Sequence, residues 1–250
     1  MKTALSVNLN KVALLRNSRT DNNPSLQEFA EICIAAGANG LTAHPRPDQR
    51  HIRASDINVL AQISRQAGLE FNIEGNPFAE ARGAYPGFMA LVREARPDQC
   101  TLVPDTDQQL TSDHGFDLFR DDERLAPFVR ELRSLGVRVS VFMDPIPEQI
   151  ERVAKLGADR IELYTGPFAE AYARSPEEGR SVFEQHRRAA DTAHNLGLGI
   201  NAGHDLNLDN LPLYAQLPNL AEVSIGHALT ADALRMGFEQ SVKAYLAILR

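Results

Sequence analysis

The sequence predicts an α/β fold, a (β/α)8 or TIM barrel with extra helices. The chain has 250 residues, close to the length of about 250 that is typical of this barrel. Along the chain a helical pattern is repeatedly followed by a glycine and then by a short strand pattern that ends in a polar residue. Strand and helix patterns alternate eight times. Such alternation predicts a parallel sheet that closes on itself.

The predicted strands and helices follow from this punctuation. Glycine suits the left-handed residue just past a helix end, and five glycines occupy such places: Gly37, Gly68, Gly136, Gly157 and Gly197. Strands are predicted at residues 4–9, 40–43, 69–73, 99–103, 138–142, 160–164, 199–202 and 222–225. Helices are predicted at residues 25–36, 122–135, 148–156, 178–196 and 231–249. Residues 76–90, 104–120 and 166–177 are interpreted as insertions that cover a site or make subunit contacts.

One domain spanning residues 1–250 is predicted, because no low-complexity tract or linker divides the chain. The alternative fold is an open, doubly wound sheet. Against it, no Gly-x-Gly-x-x-Gly turn follows the first strand, and that turn is the dinucleotide-binding fingerprint of such sheets.

Composition restricts the classes of function. Hydrophobic residues make up 43% of the chain and charged residues 24%, and no apolar run reaches the roughly 18 residues of a membrane span. The net charge of −7 argues against nucleic-acid binding, which normally uses a basic face. The N-terminal residues lack a signal-peptide pattern, so a cytoplasmic location is expected. Cys33 and Cys100 have apolar neighbours, which indicates buried hydrophobes rather than a disulfide or a metal site.

Residues 42–52 form the most informative segment. They place His44, His51, Arg46 and Arg50 in one loop directly after a predicted strand. Arginine stays charged and only donates hydrogen bonds, whereas histidine titrates near neutral pH. The segment therefore predicts anion binding combined with proton transfer. The alternative is a solvated, charged turn.

Other polar residues follow the predicted strands, at the edge where TIM barrels carry their active sites. They are Asn8, Asn10, Lys11, Arg16 and Arg19 at the first strand, His204 after the seventh and His227 after the eighth. Two glutamates, Glu70 and Glu162, lie within strands. A glutamate that points into a barrel loses much hydration energy unless it is paired or protonated, so a raised pKa would suit one of them to proton abstraction. The alternatives are solvated or ion-paired carboxylates and structural histidines.

The loops after strands seven and eight contain Gly203-His204 and Gly226-His227. TIM barrels often bind phosphate there with backbone N–H groups. A second anion site is predicted from Arg46, His51 and Arg19, so two phosphorylated reactants are expected.

Lys11 is the lysine placed to form a Schiff base, although a phosphate or hydroxyl contact is favoured. A bound metal is not predicted, because the metal-binding His-x-His, His-Glu-x-x-His and cysteine-cluster patterns are missing from the sequence.

Together these segments resemble the pyridoxine 5'-phosphate synthase family. The resemblance runs almost end to end and is carried by residues 6–19, 44–52, 69–72, 102–104 and 161–166 and by the two Gly-His turns. It implies a ring-closing condensation, of the transferase class, between 3-amino-2-oxopropyl phosphate and 1-deoxy-D-xylulose 5-phosphate. The products would be pyridoxine 5'-phosphate, inorganic phosphate and water. It also implies a homo-octameric barrel that uses no metal or organic cofactor.

The resemblance also assigns residue roles. Carried over by position, Glu70 and His44 are the proton acceptors, His204 is the proton donor and Glu162 stabilises the transition state. The aminoketone phosphate is assigned to Asn8, Arg19, Gly226 and His227. The sugar phosphate is assigned to Arg46, His51 and Thr111. Two places depart from the family pattern: Asn10-Lys11 stands where many members have Asp-His, and Asp205 stands where glycine is frequent.

Two other functions fit a barrel of this kind. One is a metal-dependent sugar-phosphate isomerase or hydrolase, which would lose activity on chelation. The other is a non-catalytic sensor of phosphorylated metabolites, which would bind its ligand without turnover.

Overall fold

A computed structural model describes residues 2–249, and within it eight parallel strands form a closed barrel in chain order. The strands are β1 (Ala4–Asn8), β2 (Gly40–Ala43), β3 (Glu70–Gly75), β4 (Gln99–Leu102), β5 (Arg138–Met143), β6 (Arg160–Tyr164), β7 (Gly199–Gly203) and β8 (Leu220–Ile225). The ring closes between β1 and β8, where Leu5 lies opposite Val223. The predicted barrel is confirmed, and the open sheet is wrong.

Helices surround the barrel. Within residues 2–249 they are α1 (Asn10–Arg16), α2 (Leu26–Ala36), α3 (Ala54–Ala67), α4 (Phe88–Ala95), α5 (Leu118–Ser134), α6 (Pro147–Leu156), α7 (Gly166–Arg174), α8 (Pro176–Asn195), α9 (Leu211–Tyr214), α10 (His227–Met236) and α11 (Phe238–Ile248). The five predicted turn glycines all adopt positive φ, between 66° and 93°. None of the helices in the described part of the chain is long and apolar enough to cross a membrane.

The structure corrects three predicted elements. The helix predicted at residues 231–249 is two helices, α10 and α11, because Gly237 between them has φ of 86°. The insertion predicted at residues 166–177 forms α7 and the start of α8. Strand β3 continues two residues beyond its predicted end, since Glu74 and Gly75 still pair with Thr101 and Leu102 of β4.

The barrel interior is polar, whereas its outer surface is apolar. In β3, Phe71 and Ile73 belong to the hydrophobic core between sheet and helices, so the alternate residues Glu70, Asn72 and Glu74 face the interior. TIM barrels usually fill that space with branched aliphatic side chains. Here polar side chains that hydrogen-bond to one another fill it. Thr101 Oγ1, for example, donates to Asn72 Oδ1 at 3.2 Å.

Both predicted buried cysteines are confirmed. Cys33 and Cys100 are buried and free. Burial raises the pKa of the Cys33 thiol to about 12. Each thiol therefore behaves as a small hydrophobic side chain.

Candidate active site

A cavity of about 280 Å³ lies at the carboxyl ends of the strands and is called the main cavity below. Residues that follow five of the strands line it, namely β1, β2, β4, β7 and β8, and Glu74, Phe142 and Glu162 contribute from within β3, β5 and β6. Twelve of the fourteen predicted site residues are in its wall: Asn8, Asn10, Lys11, His44, Arg46, His51, Thr111, Glu162, His204, Asp205, Gly226 and His227. The chain thus brings residues from distant segments to one rim.

The predicted position of Glu70 is wrong. Glu70 is the first residue of β3, at the opposite end of the barrel, where its carboxylate forms an ion pair with Arg138 and lines a different cavity. At about 3.3 Å per strand residue, four residues separate it from the rim by roughly 13 Å. Glu70 is therefore not brought together with His44 or His204.

Glu74 occupies the place expected for Glu70. It lies near the carboxyl end of β3 and is 8% exposed. Its Oε2 accepts a hydrogen bond from Asn8 Nδ2 at 3.2 Å and lies 3.9 Å from His44 Nδ1. Its Oε1 accepts from Ser224 Oγ at 3.3 Å. The sequence signal was present, because the period of two places Glu74 on the same strand face as Glu70.

Burial raises the pKa of Glu74 to about 7, against the opposing effects of His204 and of the Ser224 hydrogen bond. A carboxyl group with a pKa near neutrality can both accept and return a proton at working pH. Glu74 thus has the raised pKa that was predicted for a glutamate within a strand.

Glu162 is the second carboxyl group of the main cavity. It is 4% exposed, and its Oε2 lies 3.4 Å from Thr101 Oγ1. Burial and the neighbouring Glu74 charge raise its pKa well above the usual value. Gly203 of β7 makes room for it, since a Cβ at that position would overlap Glu162 Oε1. A neutral Glu162 can donate a hydrogen bond to a developing negative charge.

His44 lies between two carboxyl groups. Its Nδ1 faces Glu74 Oε2, and its Nε2 is 3.4 Å from Asp105 Oδ2. Its backbone N–H donates to Asn10 Oδ1 at 3.0 Å. Burial and the Arg46 charge hold the pKa of His44 well below its usual range. The imidazole is therefore neutral in the unliganded site and has one nitrogen available to take a proton.

The loop that carries these groups is buried, so the interpretation as a solvated turn is wrong. His44, Arg46 and His51 are 5%, 4% and 7% exposed. The structure anchors the loop from α1: Arg16 pairs with Asp56 at 2.7 Å and donates to the His51 carbonyl at 3.1 Å. Arg16, which follows the first strand in sequence, is thus part of the scaffold.

His51 is placed to donate a hydrogen bond and not to act as a general acid. Its Nδ1 accepts a hydrogen bond from the Ile52 backbone N–H at 2.9 Å, which leaves the proton of the neutral ring on Nε2. Burial lowers the pKa of His51 to about 2. His51 can therefore donate one hydrogen bond to an anion without carrying charge.

His204 and Asp205 form the strained side of the rim. Both have positive φ, 89° and 57°, which is uncommon for residues other than glycine. His204 Nε2 lies 3.2 Å from Thr111 Oγ1, and its Nδ1 lies 3.5 Å from Asp205 Oδ2. The hydrogen bond from His204 lowers the pKa of Asp205. The strained turn holds the imidazole over the cavity.

The start of helix α10 lies at the main cavity, after the eighth strand. Helix α10 begins at His227 with Gly226 as its first flanking residue, and both line the main cavity. The first N–H groups of a helix have no partner within the helix and attract anions. Gly226 lets the chain pass close to β1 there, because a Cβ would lie 3.0 Å from Asn8 Cβ, which is a tight contact.

Arg19 does not lie at the predicted anion site. Arg19 lies beyond the end of α1 on the exposed surface, where its Nη1 donates to the Ser18 carbonyl at 3.1 Å. It does not line the main cavity, because α1 carries the chain away from the rim before Arg19 is reached. Within residues 2–249, no group of three or more His, Cys, Asp or Glu side chains has an arrangement suited to a metal ion.

The family model described as "Pyridoxal phosphate biosynthesis protein PdxJ" matches residues 5–250. The chain is 55% identical over 251 residues to the pyridoxine 5'-phosphate synthase of Xanthomonas campestris pv. campestris, covering 100% of this chain and 97% of that protein. It is 51% identical over 249 residues to the Xylella fastidiosa protein of the same name, covering 99% and 95%.

Solved structures share the fold at low identity. A Mycobacterium tuberculosis tryptophan synthase chain aligns with a TM-score of 0.69 and 12% identity, covering 100% of this chain and 93% of that one. Thiamine phosphate pyrophosphorylase from Pyrococcus furiosus aligns with a TM-score of 0.60 and 11% identity, covering 99% and 95%. These two likenesses show the barrel alone, whereas the family match and the sequence identities over the full length show that the chain belongs to the PdxJ family of pyridoxal phosphate biosynthesis proteins.

Proposed function

We propose that the chain is a pyridoxine 5'-phosphate synthase. It condenses 3-amino-2-oxopropyl phosphate with 1-deoxy-D-xylulose 5-phosphate and releases pyridoxine 5'-phosphate, inorganic phosphate and water. The observation that carries the proposal is the 55% identity along the whole chain to a synthase of that name. The main cavity supports it, because two buried carboxyl groups face two groups of anion-binding residues.

Proton transfer is the chemistry that the site is suited to perform. Imine formation, enolisation, loss of phosphate and dehydration each move protons, and each can gain roughly 10²- to 10⁴-fold from a placed acid or base. Glu74 takes the acceptor role that the sequence analysis gave to Glu70, together with His44. His204 donates a proton from the opposite side of the rim, and Glu162 stabilises the transition state as a neutral hydrogen-bond donor.

The two phosphates bind at separate places on the rim. The aminoketone phosphate contacts the N-terminus of α10 at Gly226 and His227, with Asn8 beside it. The sugar phosphate contacts Arg46, His51 and Thr111. Bare N–H groups serve the first phosphate and charge-assisted hydrogen bonds serve the second.

Three further residues complete the binding set. Lys11 contacts a phosphate or a hydroxyl group, and Asn10 fixes the loop through the backbone of His44. Asp205 balances the charge of Lys11 and His227, both of which lower its pKa after the larger effect of His204. The substrate supplies its own amine for the imine, so no lysine is needed as a nucleophile.

The chain assembles into a homo-octamer and works in the cytoplasm. Large apolar side chains on α1 and α10 support self-association: Leu14 is 44% exposed, Leu15 56% and Leu234 81%, and exposed apolar patches mark interfaces. The two free cysteines are compatible with a reducing compartment. Light scattering of the purified protein tests the oligomeric state.

The activity is tested by mixing purified protein with both substrates. A pyridine chromophore should appear together with one inorganic phosphate per turnover, and the rate should be unchanged by a chelator. Loss of activity on chelation would favour the metal-dependent isomerase or hydrolase. Calorimetric binding of a substrate without any turnover would favour the sensor and contradict the synthase.

A further inference from the structure

Asp105 is a buried carboxylate directly behind His44. It follows β4 and is 7% exposed. Its Oδ2 receives hydrogen bonds from Ser112 Oγ at 2.9 Å and from Arg46 Nη2, and the same oxygen lies 3.4 Å from His44 Nε2. Its Oδ1 is buried without a hydrogen-bond partner among the described residues.

These contacts favour one His44 nitrogen as the one that carries the proton. Asp105 Oδ2 acts as an acceptor toward Ser112 and Arg46, and it is nearer to Nε2, at 3.4 Å, than Glu74 Oε2 is to Nδ1, at 3.9 Å, so Nε2 is the favoured donor. A neutral imidazole has one N–H and one bare nitrogen. With the proton on Nε2 toward Asp105, the bare Nδ1 faces Glu74, whose Oε2 is 3.9 Å away.

Asp105 does not contact the space that substrates would occupy. The main cavity is lined by His44, Arg46 and Ser112 but not by Asp105. Asp105 lines a second cavity of about 410 Å³, which His44 and Arg46 also line. Any effect of Asp105 on the reaction must therefore act through its neighbours.

We propose that Asp105 is the positioning residue that holds His44 in the Nε2-protonated tautomer, with Nδ1 directed toward Glu74 and the reacting atoms. The proposal rests on the proposed function. In a turnover, Nδ1 takes a proton from substrate or from Glu74, the imidazolium is stabilised by the Asp105 carboxylate, and the same proton leaves from Nδ1 in a later step. A buried carboxylate behind a histidine performs this service in other acid–base sites.

Asp105 also restrains Arg46. The guanidinium donates to Asp105 and, through Nη1, to the carbonyl groups of Thr106 at 3.3 Å and Gln109 at 3.0 Å. Removal of the carboxylate would leave the Arg46 charge uncompensated beside His44. The two consequences are separable, because a freed Arg46 changes the KM of the sugar phosphate, whereas a wrong His44 tautomer changes kcat.

The test compares three variants. Asp105→Asn keeps the shape and removes the charge, Asp105→Glu keeps the charge, and Asp107→Asn is the matched control. Asp107 lies on the same loop, is exposed and pairs with Arg82 instead. We expect Asp105→Asn to lower kcat by on the order of 10²-fold, Asp105→Glu to recover most of it and Asp107→Asn to match the parent protein.

Imidazole ¹⁵N chemical shifts provide the readout that a purely structural role would not move. The His44 ring should show one tautomer, protonated at Nε2, in the parent protein and a mixture in Asp105→Asn. The signal is assigned with His44→Gln. A parent His44 protonated at Nδ1 would overturn the proposal even if Asp105→Asn failed to fold, and so would an Asp105→Asn variant with unchanged kcat. Because this measurement needs no turnover, its result is independent of whether the proposed synthase activity is found.

Discussion

The two ends of the barrel interior both contain glutamates, but they surround them differently. At the amino-terminal end, Glu70 pairs with Arg138 and Glu222 lies 3.4 Å from Arg160. At the carboxyl end, Glu74 is held by Asn8 and Ser224. Glu162 at this end lies next to Thr101. Neither Glu74 nor Glu162 has an arginine or lysine partner among the residues that the structure describes. Arginine stabilises a carboxylate, whereas neutral donors leave it free to change protonation state.

A raised pKa by itself does not separate the two ends. Burial and the Glu70 charge raise the pKa of Glu222 to about 8, although Arg160 opposes them. The pKa of Glu74 is raised to about 7. What distinguishes Glu74 is its position, because it lines the main cavity together with His44, Arg46 and His51, whereas Glu222 does not line that cavity. A catalytic carboxyl group is therefore recognised by protonation and location together.

The largest expected effect is on the matched pair Glu74→Gln and Glu70→Gln. Both replace a carboxyl group by an amide on the same face of β3. We expect Glu74→Gln to lower kcat by roughly 10²- to 10⁴-fold while calorimetry still detects substrate binding. Glu70→Gln should keep the parent kcat and lower the free energy of unfolding, because Arg138 loses its partner.

An active Glu74→Gln together with an inactive, folded Glu70→Gln would reverse the assignment. It would also restore the sequence-based role of Glu70. Circular dichroism of both variants excludes misfolding as the cause of either result. The pair therefore tests which end of the strand carries the reaction.

This pair also shows what the sequence could and could not predict. The period of two fixed the strand face of Glu70 and Glu74, because it depends only on alternation. The predicted strand at residues 69–73 already placed Glu70 near the strand's start, but it ended before Glu74, whose pairing with Thr101 of β4 depends on the sheet register. The turn glycines were predictable because one left-handed residue ends a helix. Arg19 was not, because its position depends on the direction of α1, and Asp105 resembled any solvated loop carboxylate.

A smaller effect is expected at the lower end, from Arg160→Met. Arg160 Nη1 donates to Asn201 Oδ1 at 2.8 Å and lies near Glu222. The folded-state pKa of Glu222 is already above its ordinary value, so the folded form is neutral at low pH and becomes charged as the pH rises through about 8. Only the charged form needs Arg160. We expect a loss of about 2 kcal/mol in the free energy of unfolding at pH 9, as for a hydrogen bond to a charged group, and a smaller loss at pH 6.

Urea denaturation at the two pH values measures this difference, and kcat should not change. Arg187→Met is the control, because its pairs with Glu184 and Asp191 lie on the exposed surface of α8 and such pairs contribute little. A loss that is larger at pH 6 than at pH 9 would contradict the assignment of Glu222 as the titrating group. A large fall in kcat in Arg160→Met would show that Arg160 and its partners at the amino-terminal end of the barrel take part in the reaction.

The smallest expected effect, and the sharpest test of the upper end, comes from Ser224→Ala. The Ser224 hydroxyl donates to Glu74 and thereby lowers its pKa. As a base, Glu74 must be deprotonated in the free enzyme, so kcat/KM should rise with pH through about 7. Without the hydroxyl, the midpoint of this rise in kcat/KM should move toward alkaline pH by roughly half a pH unit to one pH unit. Ser140→Ala removes a buried interior hydroxyl that has no partner among the described residues, and its profile should match the parent. If the midpoint of the rise in kcat/KM stays in place in Ser224→Ala, or moves to lower pH, Glu74 is not the group whose ionisation controls the reaction.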